Sequence, residues 1–160
     1  MVKLLTKNCE DKRKKILIYG YGNPGRQDDG LGPALAEAVE KLNYTNVKCD
    51  SNYQLNVEDA AEIAEYDIVL FVDASKCEVD GLTLSRIYPV KEASFSSHSV
   101  SAESVLAICR DHFGNVPESW MLGIKGYEFD IIEELTSKAY ENLEYAVDFV
   151  KLLIERWRDQ

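Results

Sequence analysis

The chain has 160 residues, of which 46% are hydrophobic and 29% charged, enough for one globular domain with its own core. Its formal net charge of −10 argues against nucleic acid or anionic membrane as partners, because long-range repulsion slows every encounter, and favours cations or basic surfaces. The four cysteines, Cys9, Cys49, Cys77 and Cys109, form no C-x-x-C pair, which argues against a thiolate zinc site or a disulfide-dense scaffold and suits inert thiols in a reducing cytoplasm.

Residues 1–14 are polar, basic-rich and aperiodic, and read as a flexible leader before a single domain over 15–160. They hold no apolar core of signal-peptide length, and the longest strongly apolar run, IVLFV, is too short to cross a bilayer. A cytoplasmic protein is expected. KKILIYG carries four consecutive apolar residues, Ile16 to Tyr19, as a strand buried on both faces would. Leu31, Ala34, Leu35, Ala38, Val39 and Leu42 then recur at helical spacing, with Pro33 in a first turn that can spare its N–H.

TNVKCD reads as a short second strand, and Asn56 as the cap of a helix through VEDAAEIAEY. DIVLFVDA is the second strongly apolar strand and ends in Asp73. GLTLSRIYPV alternates, so it is expected to hairpin back antiparallel against DIVLFVDA. After the polar loop KEASFSSHS comes a helix, SAESVLAICRDHFG, with Ser99 or Ser101 as cap and Gly114 as stop. SWMLGIKG is the last strand. Tyr140, Leu143, Val147, Val150, Ile154 and Trp157 make one face of a long final helix opened by Thr136. This order predicts a three-layer αβα sandwich around a twisted, mostly parallel sheet of about five strands, one of them antiparallel.

In open sheets of this kind, sites form beyond the carboxyl ends of the parallel strands. The pair Asp28-Asp29 follows the first strand and Asp73 ends the third. His98 precedes a helix that must start at the same edge. Each has a plainer reading: a helix cap for Asp28 or Asp29, loop amides for Asp73, another N-terminal cap for His98. Together, two carboxylates and an imidazole suit Ni²⁺, Zn²⁺, Co²⁺ or a heavier mimic, and three protein ligands would leave coordination positions open. His112, near a helix end, is adequately explained by the helix dipole.

The glycines of GYGNPGRQDDGLG have the G-x-G-x-x-G spacing of a dinucleotide turn, and Asp50 could mimic the ribose-binding acid. However, Arg26-Gln27-Asp28-Asp29 delays the helix and would face a pyrophosphate with like charge, so the stretch reads as a cation site. No G-x-S-x-G, H-E-x-x-H or S-x-x-K signature is present. Asn23 is most simply a turn residue bonding its own backbone, with substrate contact as its other reading. Gly123 and Gly126 near the rim could admit an extended peptide.

GYGNPGRQDDGLG, followed by a strand ending VDA, then SSHSVSAESVL and MLGIKGYEFD before a long terminal helix, resembles the endopeptidases that mature [NiFe] hydrogenases. The resemblance covers residues 15–155. It implies an αβα fold with Asp29, Asp73 and His98 as metal-contacting and catalytic residues, of metal-dependent or aspartyl type. Asn23, Asp28 and Gly126 are the accompanying candidates for substrate contact. It further implies removal of a C-terminal extension from a hydrogenase large-subunit precursor after nickel insertion. Nickel would then arrive with the substrate, and cadmium or zinc could substitute. The partner would be that precursor, and the protease a monomer or weak dimer. Two features depart from the family pattern: the second acid is Asp where some members carry Glu, and glycine follows Asn23-Pro24 where many carry a larger residue. The readings from other classes are a non-catalytic metal-binding chaperone and a nucleotide-binding Rossmann-like module. Calorimetry with Ni²⁺ or Cd²⁺ against NADH separates them.

Overall fold

The two apolar runs of the sequence become neighbouring central strands in the computed structural model, which describes residues 12–94 and 100–160. The strands are β1 (Ile16–Tyr21), β2 (Val47–Asn52), β3 (Ile68–Ser75), β4 (Leu82–Ile87) and β5 (Glu118–Lys125). They form one sheet in the order β2-β1-β3-β5-β4, parallel throughout except for the β4–β5 pair. The helices are α1 (Leu31–Glu40), α2 (Asp59–Ile63), α3 (Ala102–Ile108) and α4 (Ser137–Arg158); a 3₁₀ turn over Gln27–Gly30 precedes α1 and a π-helical turn over Cys109–Phe113 extends α3.

Alternate strand residues feed two cores. Ile16 and Ile18 of β1 and Ile68, Leu70 and Val72 of β3 pack with α1 and α4. Leu17, Tyr19, Val69 and Phe71 face α2 and α3 on the other side. A strand with helices over both faces has no solvent side, which is why its sequence runs apolar without alternation. This is the expected αβα sandwich.

Three details differ from the sequence reading. β4 pairs with β5, not β3, because both edges of β3 are already taken, by β1 and β5. The partly exposed, alternating β4 suits the sheet edge instead. The buried face of α4 is Ala139, Leu143, Ala146, Val150, Ile154 and Trp157, whereas Tyr140 is exposed. Each large apolar side chain on that face contributes about 1.5–3 kcal/mol by leaving water. Asn56 does not cap α2: its side chain donates to the Gln54 carbonyl, and the N-cap residue is Glu58.

Other punctuation forms as read. Ser101 caps α3 by accepting from Ser104 N–H, Thr136 caps α4 by accepting from Ala139 N–H, and Gly114 takes the left-handed conformation (φ 68°). The thiols are not uniform: burial raises Cys49 to about 12 and Cys109 to about 11. Cys77 is exposed, and its thiol is lowered, first by a hydrogen bond from the Ser75 hydroxyl at 2.9 Å. Cys9, and most of the leader reading, lie outside the described residues. No helix among the described residues is long and apolar enough to cross a membrane.

Candidate functional site

The glycines after β1 serve close packing. A Cβ on Gly20 would lie 2.1 Å from the Gly32 carbonyl oxygen, and one on Gly32 would lie 2.5 Å from that of Val72. The absence of these atoms lets the start of α1 rest directly on β1 and β3. Gly22 sits at φ 140°, where its missing Cβ would meet the Asp29 carbonyl oxygen at 2.0 Å. The chain thus folds back so that Asp29 lies under the end of β1.

There the Asn23 N–H donates to Asp29 Oδ2 at 2.8 Å, while the Asn23 side-chain oxygen accepts from Gly25 N–H at 2.9 Å. Asn23 is thereby both a turn residue and the group that orients the acid. The N-cap position of α1 is Gly30 and no side chain caps it, so neither aspartate takes the plainer role of helix cap.

Asp28 points the other way and is completely buried. Its Oδ2 accepts from Tyr127 N–H (2.7 Å), Glu128 N–H (3.1 Å) and the Thr136 hydroxyl (2.8 Å), and its Oδ1 from Thr136 N–H (2.8 Å). Burial pushes its pKa up, but these donors together outweigh burial and hold it below the ordinary carboxylate value. The expectation of substrate contact at Asp28 meets a carboxylate fully occupied in clamping the 127–136 loop and the start of α4. Gly126 belongs to the same packing. It is buried, and a Cβ there would lie 2.8 Å from that of Asp28 and 2.9 Å from the Phe129 ring.

Asp73 continues the alternation Val69-Phe71 and so falls on the α3 side of the sheet at its carboxyl edge. Its Oδ1 accepts from Ala74 N–H at 2.8 Å. Burial raises its pKa to about 6; the Ala74 bond opposes this, the Asp29 charge adds to the rise, and Lys76 opposes it. Asp29 and Asp73 therefore lie close enough to repel. That is the arrangement a divalent cation would relieve, and carboxylate oxygens are suitable donors for one.

Two neighbours of Asp73, Tyr21 and Lys76, and a third residue, Glu103, whose charge acts on Tyr21, were not singled out from the sequence. Tyr21 lies inside the glycine motif; burial raises its pKa first, followed by the charges of Asp73 and Glu103. Its hydroxyl donates to Met121 Sδ at 3.7 Å. Glu103 is in the first turn of α3. The Lys76 ammonium lies 4.4 Å from the Phe129 ring centroid. Strand alternation, Tyr19-Tyr21 beside Phe71-Asp73, is the signal that would have found Tyr21.

His98 lies outside the described residues, and so does any test of its convergence with the two acids. On one side, Arg110 donates to the carbonyls of Val90 (3.0 Å) and Lys91 (3.1 Å); on the other, Ser101 caps α3. Among the described residues no group of three or more His, Cys, Asp or Glu side chains is placed to hold a metal.

No protein-family profile matches the chain. A protein of Methanocaldococcus jannaschii, provisionally named a hydrogenase maturation protease, is 27% identical over 150 residues, 87% of this chain and 96% of its own length. The hydrogenase maturating endopeptidase HybD of Escherichia coli has the same fold at TM-score 0.73 and 22% identity, covering 89% of this chain and 93% of HybD. The NADP-dependent ketol-acid reductoisomerase of Methanococcus maripaludis is 31% identical over 74 residues; this match spans 42% of the chain and only 22% of that enzyme.

Proposed function

We propose that this chain is a hydrogenase-maturation endopeptidase of the cytoplasm, which removes a C-terminal extension from a [NiFe] hydrogenase large-subunit precursor after nickel insertion. The observation that carries the reading is that Asp29, held after β1 by the Asn23 N–H, and Asp73, near the end of β3, come to the same carboxyl edge of the sheet, close enough for the Asp29 charge to be felt at Asp73. Similarity to maturation proteases over nearly the full chain supports it.

In this reading nickel is part of the substrate. Asp29, Asp73 and His98 engage the ion carried by the precursor, and its charge relieves the repulsion between the two acids. Engagement at the rim fixes the scissile bond relative to the site, which lowers the entropic part of the barrier. The Asn23 N–H holds Asp29 in place throughout. Cadmium and zinc satisfy the same oxygen and nitrogen donors and serve as probes.

The test is incubation of nickel-loaded precursor with wild type, Asp29→Ala, Asp73→Ala and His98→Ala, followed by mass measurement of the product. Loss of cleavage in the variants is expected. Full cleavage by all three would end the proposal. The reductoisomerase match keeps the nucleotide reading as the competitor. Against it, the first and second glycines of the motif are packed on backbone, and Asp28 and Asp29 precede α1. Calorimetry with NADPH and with Cd²⁺ discriminates: nucleotide binding without cadmium binding would favour the competitor. Cadmium binding without proteolysis would favour a chaperone.

A further inference from the structure

The 127–136 loop presents apolar side chains to solvent while its backbone is held tightly. Ile131 is 91% exposed and Ile132 48%. Behind them, Gln27 N–H donates to the Ile132 carbonyl at 2.8 Å, and Asp130 N–H donates to Gln27 Oε1 at 3.0 Å. Asp28 binds the loop at Tyr127, Glu128 and Thr136. Gln27 makes its bonds from a backbone at φ 47°, the left-handed region that is unfavourable for a residue with a side chain. Thus a strained residue and a buried carboxylate together immobilise a loop whose tip carries an exposed isoleucine. A tip ordered before its partner arrives lowers the entropic cost of binding.

The tip borders a groove of about 600 Å³ lined by Asn23, Gly25, Arg26, Ile131 and Glu133. Asn23 also donates its N–H to Asp29, so the groove shares a wall residue with the turn that orients that acid. Arg26 is exposed, and among the described residues its guanidinium has no carboxylate partner. In a chain of net charge −10, such a cation at the rim selects an anionic group, while Glu133 opposes a second one.

We propose that this groove docks the precursor segment flanking the scissile bond, with an apolar side chain against Ile131 and an acidic group opposite Arg26. The inference rests on the processing role proposed above. It concerns a surface that would hold polypeptide, not the ion.

The test uses the full chain and the full-length large-subunit precursor encoded in the same genome, with nickel loaded. Ile131→Asp and Arg26→Glu are each expected to raise KM, and to weaken precursor binding, by about tenfold with kcat and Cd²⁺ affinity unchanged. Ile131→Leu and Arg26→Lys should restore most of the loss. Leu152→Asp, at an apolar position of α4 that is 65% exposed, serves as the control and should leave KM alone. Wild-type KM and affinity in both Ile131→Asp and Arg26→Glu would overturn the docking surface. So would an effect of Ile131→Asp confined to self-association in sedimentation. If wild type binds the precursor but does not cleave it, the processing role fails alone, and the affinity series still decides the groove. If wild type neither binds nor cleaves, both fail.

Discussion

The carboxylate of Asp28 accepts both the backbone N–H and the hydroxyl of Thr136, each at 2.8 Å, across 108 positions of sequence. One buried acid thus ties the turn bearing Asp29 to the start of α4. Asp28→Asn replaces an acceptor oxygen with a donor facing donors, and is expected to lower stability by about 2–4 kcal/mol in urea unfolding. The pH sign follows from a folded-state pKa held below the ordinary 3.8: this stabilisation is present above about pH 4 and lost as pH falls further. A wild-type urea midpoint for Asp28→Asn at pH 7 would show that the clamp contributes nothing.

Asp73 has the opposite sign. Its pKa, raised to about 6, lies above the model-peptide value of 3.8, so its relative stabilisation is complete below about pH 4 and disappears as pH rises through 6. Asp73→Asn should therefore be more stable than wild type at pH 7.5, by on the order of 1–3 kcal/mol, with the difference gone at pH 4. Unfolding curves at the two pH values measure this; equal stability at pH 7.5 would contradict the raised pKa.

The same protonation competes with an ion. Cd²⁺ affinity measured by calorimetry should fall as pH drops below about 6, and Asp73→Asn should remove that part of the pH dependence. A flat affinity between pH 5 and 7 would argue that Asp73 is not a ligand.

Gly32→Ala tests the packing of α1 on the sheet. The new Cβ would lie 2.5 Å from the Val72 oxygen and 2.6 Å from the Tyr21 oxygen, both backbone atoms. Destabilisation on the order of 3 kcal/mol, or failure to fold, is expected. Thermal unfolding reads it, and a wild-type midpoint would mean that the interface can open at no cost.

Ser101→Ala removes the cap of α3, and a loss of about 1 kcal/mol is expected in the same assay. Because Ser101 follows closely on the segment containing His98, the companion readout is Cd²⁺ affinity, which should fall with it under the proposed ligand set.

The amino-acid sequence by itself determined the sandwich. Ile16 to Tyr19 and Ile68 to Val72 are apolar at every position, and only a strand covered on both faces can bury such a run. It also determined the local stops and starts, Gly114, Ser101 and Thr136, because those depend on conformations and hydrogen bonds within a few residues. Strand order alone put the Asp28-Asp29 pair and Asp73 at the rim; the choice of Asp29 over Asp28 came from the family resemblance, and the structure turns Asp28 inward.

Tertiary structure decided everything that depends on a partner distant in sequence. It gave β4 to β5 rather than β3, because sheet edges are allotted by the whole set of strands. It also separated two adjacent aspartates into different roles. Asp28 faces inward to three amides and a hydroxyl, whereas Asp29 is held at the rim close enough to Asp73 for their charges to interact. A local pattern can place an acid after a strand. The donors that surround it come from Tyr127, Glu128 and Thr136, about a hundred residues away, and only folding brings them there.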